Sequence, residues 1–243
     1  MAQVICSGRD ADTGFLAKML LRHGRVTHVF TPQYRLSSNT GGRFPAALQD
    51  AVTSYNHLVN TLKIPASRIT VSGDSAGGNL ALTFMRYLSV YGDELGLAWP
   101  GCVWLWSPWV DVHGGIDPKN MIQSPQYPTD YLNPSFGGWG VETFCPPSCP
   151  LDVTSPWLSP LNNPFASKSP IFIQAGDAEV LYADDTEMSK QLEGIGGNVI
   201  KLEVTRNMPH DVILVAPMLG FEKEAAEIAK AAGDFLRSER AVL

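Results

Sequence analysis

An α/β chain is the fold class this sequence predicts: a mostly parallel sheet with helices on both faces. Three observations carry the prediction. Short β-branched or apolar runs alternate with segments of helical period along the chain. The run at 102–106 is continuously apolar, as a strand covered on both faces must be. The run at 69–72 passes through a glycine-rich turn directly into a helical segment. The 243 residues are 44% hydrophobic and 17% charged, enough for one sizeable core. The expected organisation is one domain over 1–243 with an insertion at 109–160.

Taken in order, 13–23 carries Phe15, Leu16, Met19 and Leu20 at helical spacing, with Gly24 as a stop. Residues 27–31 read as a strand ending at Pro32. A polar loop follows, then Pro45 near the first turn of a helix whose stripe is Leu48, Val52, Tyr55 and Val59. The 69–72 strand leads to a helix reaching about Tyr91, and 102–106 is the next strand. From Trp109 to Pro160 Pro, Gly, Asn, Trp and Tyr dominate and no long period holds. A stretch of that length is expected to lie over something rather than merely connect. Tyr127, Tyr131, Phe136, Trp139 and Trp157 suggest an apolar lining. Residues 171–174 are a strand, 179–192 a helix closed by Gly194, 199–204 the last strand, and 221–236 an amphipathic helix.

The 69–80 stretch holds a Gly-x-Ser-x-Gly pattern at Gly73, Ser75 and Gly77. That is the layout of a nucleophile elbow. Ser75 is expected on a strained strand-to-helix turn. Gly73 and Gly77 are expected where side chains would collide with neighbouring backbone. The Ala76 N–H, at the helix start, would face an oxyanion. Asp74 has no ligand cluster around it and reads as an exposed or helix-capping carboxylate rather than a metal ligand.

Composition excludes several classes. The formal net charge is −6, and Lys and Arg form no basic stripe, so nothing favours nucleic acid. No apolar run approaches the roughly 18 residues of a membrane span. The N-terminus lacks the pattern of a signal peptide, so the chain as given reads as intracellular. Cys145 and Cys149 have no further ligands at zinc spacing and read as two free thiols in a loop.

A serine hydroxyl needs a base, and the base an orienting acid. Following the elbow, the order Ser, acid, His is expected, each on a loop after a strand. Of five His, His23, His28 and His57 precede Ser75, and His113 lies in the insertion. His210 follows the last strand and is the expected base. The acid must follow 171–174, where Asp177, Glu179 and Asp184 lie close together. Asp177 is nearest the strand end. Val180 and Leu181 are expected to pack back on the sheet, and Asp184 to face solvent. Spacing does not choose among the three.

Several blocks together resemble the hormone-sensitive-lipase-like branch of the α/β-hydrolases. They are Tyr34 to Leu36, Phe44 to Leu48 with Asp50, Gly73 to Asn79, Ser107 to Trp109 with Asp111, Ser159 with Pro160, Glu179 to Leu181, and His210. They run in family order from about residue 15 onward. The resemblance implies a carboxylesterase or lipase acting on small acyl esters through an acyl-enzyme, without metal or cofactor. It implies Glu179 as the acid, with Asp177 as runner-up, and 109–160 as part of the cap over the pocket.

One departure stands out. The family's His-Gly-Gly-Gly-like loop, which supplies most of its oxyanion hole, has only Ser7 and Gly8 in the corresponding place. The chain therefore reads as an N-terminally truncated product, with Gln3 to Cys6 partly filling an internal strand slot, and its activity is expected to be weak. The other reading is a non-catalytic, small-ligand-binding relative, like the plant hormone receptors of this branch. Those receptors lose the base that His210 here retains.

Overall fold

The computed structural model describes residues 3–5, 10–146 and 148–242. Six strands form one sheet, and every pairing in it is parallel. They are β1 (Gln3–Ile5), β2 (His28–Phe30), β3 (Ile69–Asp74), β4 (Cys102–Trp106), β5 (Ile171–Gly176) and β6 (Ile200–Thr205). Their spatial order is β2-β1-β3-β4-β5-β6.

Strand β1 fills the internal slot between β2 and β3, with Val4 opposite both Val29 and Thr70. Three residues suffice to continue the ladder there. Cys6, Ser7 and Gly8 lie outside the described residues.

Parallel strands need crossovers, and the helices that make them cover both faces. Helices α1 (Asp10–His23), α7 (Val212–Leu219) and α8 (Glu222–Val242) lie on one face. Helices α2 (Ala46–Asn56), α3 (Ser75–Leu95) and α6 (Tyr182–Glu193) lie on the other. Strand β4 shows why the sheet needs both layers. Cys102, Trp104 and Trp106 join the first cluster, while Val103 and Leu105 join the second. Successive side chains point to opposite faces, so an unbroken apolar run serves two cores.

Several elements differ from the expected ones. The elbow helix begins at Ser75 and reaches Leu95. Helix α6 begins at Tyr182, so Glu179 sits in the turn before it. The short apolar helix α7, directly after His210, had not been expected.

Between β4 and β5 the chain leaves the sheet. Segment 109–160 contains α4 (Pro118–Ile122) and α5 (Pro134–Phe144). Asn133 caps α5 by accepting from the Phe136 N–H at 3.0 Å, and Pro134 occupies the first turn. Both ends of the segment are fastened to α3, because the Asn79 amide donates to Trp109 O at 2.9 Å and Leu158 O at 2.8 Å. Asn79 is itself buried, so these bonds satisfy a polar group that water cannot reach.

Candidate active site

Strand β3 runs into α3 through a turn that only a very small residue permits. A Cβ on Gly73 would lie 2.1 Å from Gly77 O and 2.4 Å from Gly77 C, both backbone atoms. The helix can therefore start directly against the strand end. The turn places Ser75 at φ +47, in the left-handed region. Such a backbone is uncommon for a residue with a side chain and is held here by its surroundings. Ser75 and Ala76 face a cavity. Ala76 belongs to the first turn of α3, where N–H groups have no acceptor within the helix.

The loop after β6 brings His210 to Ser75, with Nε2 2.9 Å from Oγ. On the other side of the ring, Nδ1 lies 3.1 Å from Glu179 Oε2. Glu179 is fully buried and His210 nearly so. The other carboxylate oxygen of Glu179 accepts the Gly176 N–H at 2.9 Å. That bond folds the acid loop back onto the end of its own strand. The loops after β5 and β6 approach closely at Gly176, where a Cβ would lie 2.1 Å from Met208 O.

The other expected candidates go elsewhere. Asp177 accepts from the Asn207 backbone N–H and so fastens the base loop rather than the imidazole. Asp184 is half-buried, not solvent-facing. It lines a neighbouring cavity of about 470 Å³, where burial and the charge of Asp111 push its carboxyl up to about 6. Val180 and Leu181 line cavities instead of packing on the sheet. His23 ends α1, His28 opens β2, and His57 follows α2. His113 sits in a turn whose backbone donates to Ser159 Oγ at 3.2 Å. Cys145 and Cys149 are free thiols. Among the described residues, no group of three His, Cys, Asp or Glu is placed to hold a metal.

The half-buried Asp74 and the buried Asp185 and Asp211 surround the three aligned groups. Burial pushes Asp74 up to about 6, although nearby His210 pulls it down. Asp74 does not cap α3, and its Oδ1 is enclosed without a hydrogen-bond partner. It is thus neither the exposed nor the capping residue expected. Burial also raises Asp211 and Asp185 well above the usual carboxylate range, with Glu179 adding to both. These carboxyls are held toward their neutral forms.

The cavity beside Ser75 has a volume of about 300 Å³. Trp109, Met121, Leu132, Phe136, Trp139 and Phe144 give it an apolar wall, all from segment 109–160. Tyr127, Tyr131 and Trp157, expected in that lining, are elsewhere. Trp157 stacks on Tyr91 at 6.2 Å, against the core. Tyr131 lies beside the His210 ring, with centroids 6.1 Å apart.

The sequence profile of the alpha/beta hydrolase fold family matches residues 11–214. The chain belongs to that family. It is 29% identical over 197 residues to an acetyl-hydrolase from Streptomyces hygroscopicus, covering 80% of this chain and 60% of that protein. The chain thus spans about 60% of the length of the curated relative it matches. Among solved structures, a hormone-sensitive lipase from a metagenome library aligns with a TM-score of 0.79 at 25% identity, covering 98% of this chain and 78% of that one. The esterase EstE5, soaked with p-nitrophenyl butyrate, aligns at 0.81 and 22% identity, covering 99% and 77%. An esterase of the bacterial hormone-sensitive lipase family aligns at 0.81 and 24% identity, covering 98% and 76%.

Within this α/β-hydrolase, the other resembling blocks prove to be fasteners. The Arg35 guanidinium pairs with Asp50 at 2.8 Å, and the Arg35 N–H donates to the same carboxylate. That holds the loop carrying Tyr34, which lines the cavity. Ser159 Oγ accepts from the Val112 N–H at 3.1 Å and donates to Val153 O at 2.8 Å, pinning one end of the long segment to the other. Asp111 accepts from the Gly114 N–H at 2.9 Å and shapes a turn. Trp109 and Phe144 of the cavity wall were missed as lining. Nothing in their spacing separates a pocket aromatic from a core one.

Proposed function

We propose that this chain is a serine carboxylic-ester hydrolase working through an acyl-enzyme, with Ser75 as nucleophile, His210 as base and Glu179 as orienting acid. The continuous line of hydrogen-bond distances from Ser75 Oγ through His210 to Glu179 supports the reading above all. Ser75 attacks the ester carbonyl while His210 Nε2 takes its proton. The same nitrogen returns the proton to the leaving alcohol. Water then repeats the sequence on the acyl-enzyme. Glu179 holds the imidazole with Nδ1 protonated and Nε2 free to accept.

The apolar wall favours an ester of small hydrophobic groups, and 109–160 acts as the cap that supplies it. The name of the acetyl-hydrolase relative agrees with a short acyl group. Among the described residues, the Ala76 N–H is the oxyanion donor assigned. One such donor is typically worth about 10² to 10³ in rate.

The test is hydrolysis of p-nitrophenyl butyrate by the wild-type chain and by Ser75→Ala, together with covalent labelling by a fluorophosphonate. The expected result is turnover and labelling that both vanish in Ser75→Ala. Equal rates from the two proteins would defeat the proposal. A folded wild type that binds the ester but never labels would point to the small-ligand-binding reading.

A further inference from the structure

We infer that Asp130, in the segment that walls the cavity, is a positioning residue that holds the acid loop and the base loop in mutual register. This rests on the roles proposed for Glu179 and His210. One oxygen of the Asp130 carboxylate accepts the Val180 N–H at 2.8 Å, the residue after Glu179. The other accepts the His210 N–H at 3.3 Å. The same oxygen accepts the Tyr131 N–H at 2.7 Å, which fixes the carboxylate relative to its own backbone. Thr129 Oγ1 lies 2.9 Å from Ala178 O, on the residue before Glu179, and 2.9 Å from Gln126 O, and its one proton is shared between them. The acid is therefore gripped on both sides by two consecutive residues of the segment. Tyr131 lies against the His210 ring.

The chemistry suits a carboxylate. The two backbone N–H groups come from loops at the ends of different strands, and each needs an acceptor. An ionised Asp is acceptor-only and presents two oxygens in a fixed plane. Asparagine would turn an amino group toward one of the two donors and keep only one link. Alanine would remove both links and would also take the acceptor from the Tyr131 N–H.

The strand-proximal fasteners, Ala178 N–H to Met208 O and Asp177 to Asn207 N–H, hold the roots of the two loops. Asp130 acts further out, beside the imidazole. Displacing catalytic groups by about 1 Å can cost about 10²-fold. A loss of about 10- to 100-fold in kcat is expected for Asp130→Ala, with KM changed less than kcat because Asp130 does not itself line the cavity. Asp130→Asn should fall between the two.

The experiment measures kcat, KM and thermal melting for the full chain, Asp130→Asn and Asp130→Ala. It also records the low-field proton NMR signal of His210 Nδ1–H, assigned by its loss in His210→Ala. The expected result is a kcat defect graded Ala over Asn, with a cooperative melt retained and a weakened or exchange-broadened His210 signal. Unchanged kcat and an unchanged His210 signal in folded Asp130→Ala would overturn the inference. A raised KM with unchanged kcat would overturn it too, since that marks a wall residue. If Asp130→Ala does not fold, the isosteric Asp130→Asn carries both readouts. If the wild type proves inert, the hydrolase reading fails, and the NMR comparison still decides the role of Asp130.

Discussion

Asp74 makes the state of the elbow measurable through stability alone. Its carboxyl is pushed from 3.8 up to about 6, chiefly by burial. In the unfolded chain it ionises near its ordinary value. A buried acid with a raised pKa binds its proton more tightly when folded, so its contribution to stability is complete below about pH 4 and is lost as pH rises through about 6. Each tenfold change in proton affinity is worth about 1.4 kcal/mol, so the interval amounts to about 3 kcal/mol at most. Asp74→Asn keeps the shape and removes the titration. Its stability relative to wild type should therefore climb by up to about 3 kcal/mol between pH 4 and pH 7.5. Any fixed effect of the amide cancels in that difference. Urea denaturation of both proteins at several pH values in that range measures it. A difference that stays flat with pH would refute the assignment of Asp74 as a half-buried, reluctantly ionised carboxyl with one enclosed oxygen.

Two further outcomes follow from the same geometry. Glu179→Gln should lower kcat by about 10⁴ with little effect on ester binding, because the amide no longer enforces the tautomer that leaves Nε2 free; steady-state kinetics beside Ser75→Ala checks it. Gly73→Ala should cost about 3 kcal/mol or more, since its Cβ would meet the carbonyl of Gly77 at 2.1 Å and neither backbone can yield cheaply; a shifted or lost melting transition is the readout.

How much of this was legible in the sequence depended on how local each signal is. The elbow was legible because its constraint lies within five residues: a strand, a helix and the glycine that lets them meet. The position of the proposed base was legible from chain order, since His210 alone among the His follows the last strand of a βα series. The acid was not legible from spacing. Asp177, Glu179 and Asp184 differ only in where the turn after β5 sends them, and that turn is set by contact with the β6 loop at Gly176 and Met208. The longer Glu side chain reaches the imidazole from within the turn, whereas Asp177 ends on Asn207. Resemblance ranked Glu179 first, and its 3.1 Å approach to His210 Nδ1, the observation behind the proposed role, comes from contacts no linear pattern encodes. Helix α5 escaped notice because three glycines and several aromatics mask its period, although Asn133 and Pro134 were a readable start signal.

The long segment carries the last step of the argument. Its composition suits a lining, and it does wall the cavity. Its hydrogen bonds say more. Asn79, four residues after the proposed nucleophile, ties down both Trp109 and Leu158, near the ends of the segment. Asp130, near its middle, ties down the loops of Glu179 and His210. Nucleophile helix, segment, acid loop and base loop thus form a closed circuit of bonds around one cavity. In an open arrangement, each of the three groups would depend only on its own strand end. In a closed one, a shift of the segment is felt at the imidazole as well as at the wall. The segment that accommodates the substrate is thereby also a determinant of the alignment that would act on it.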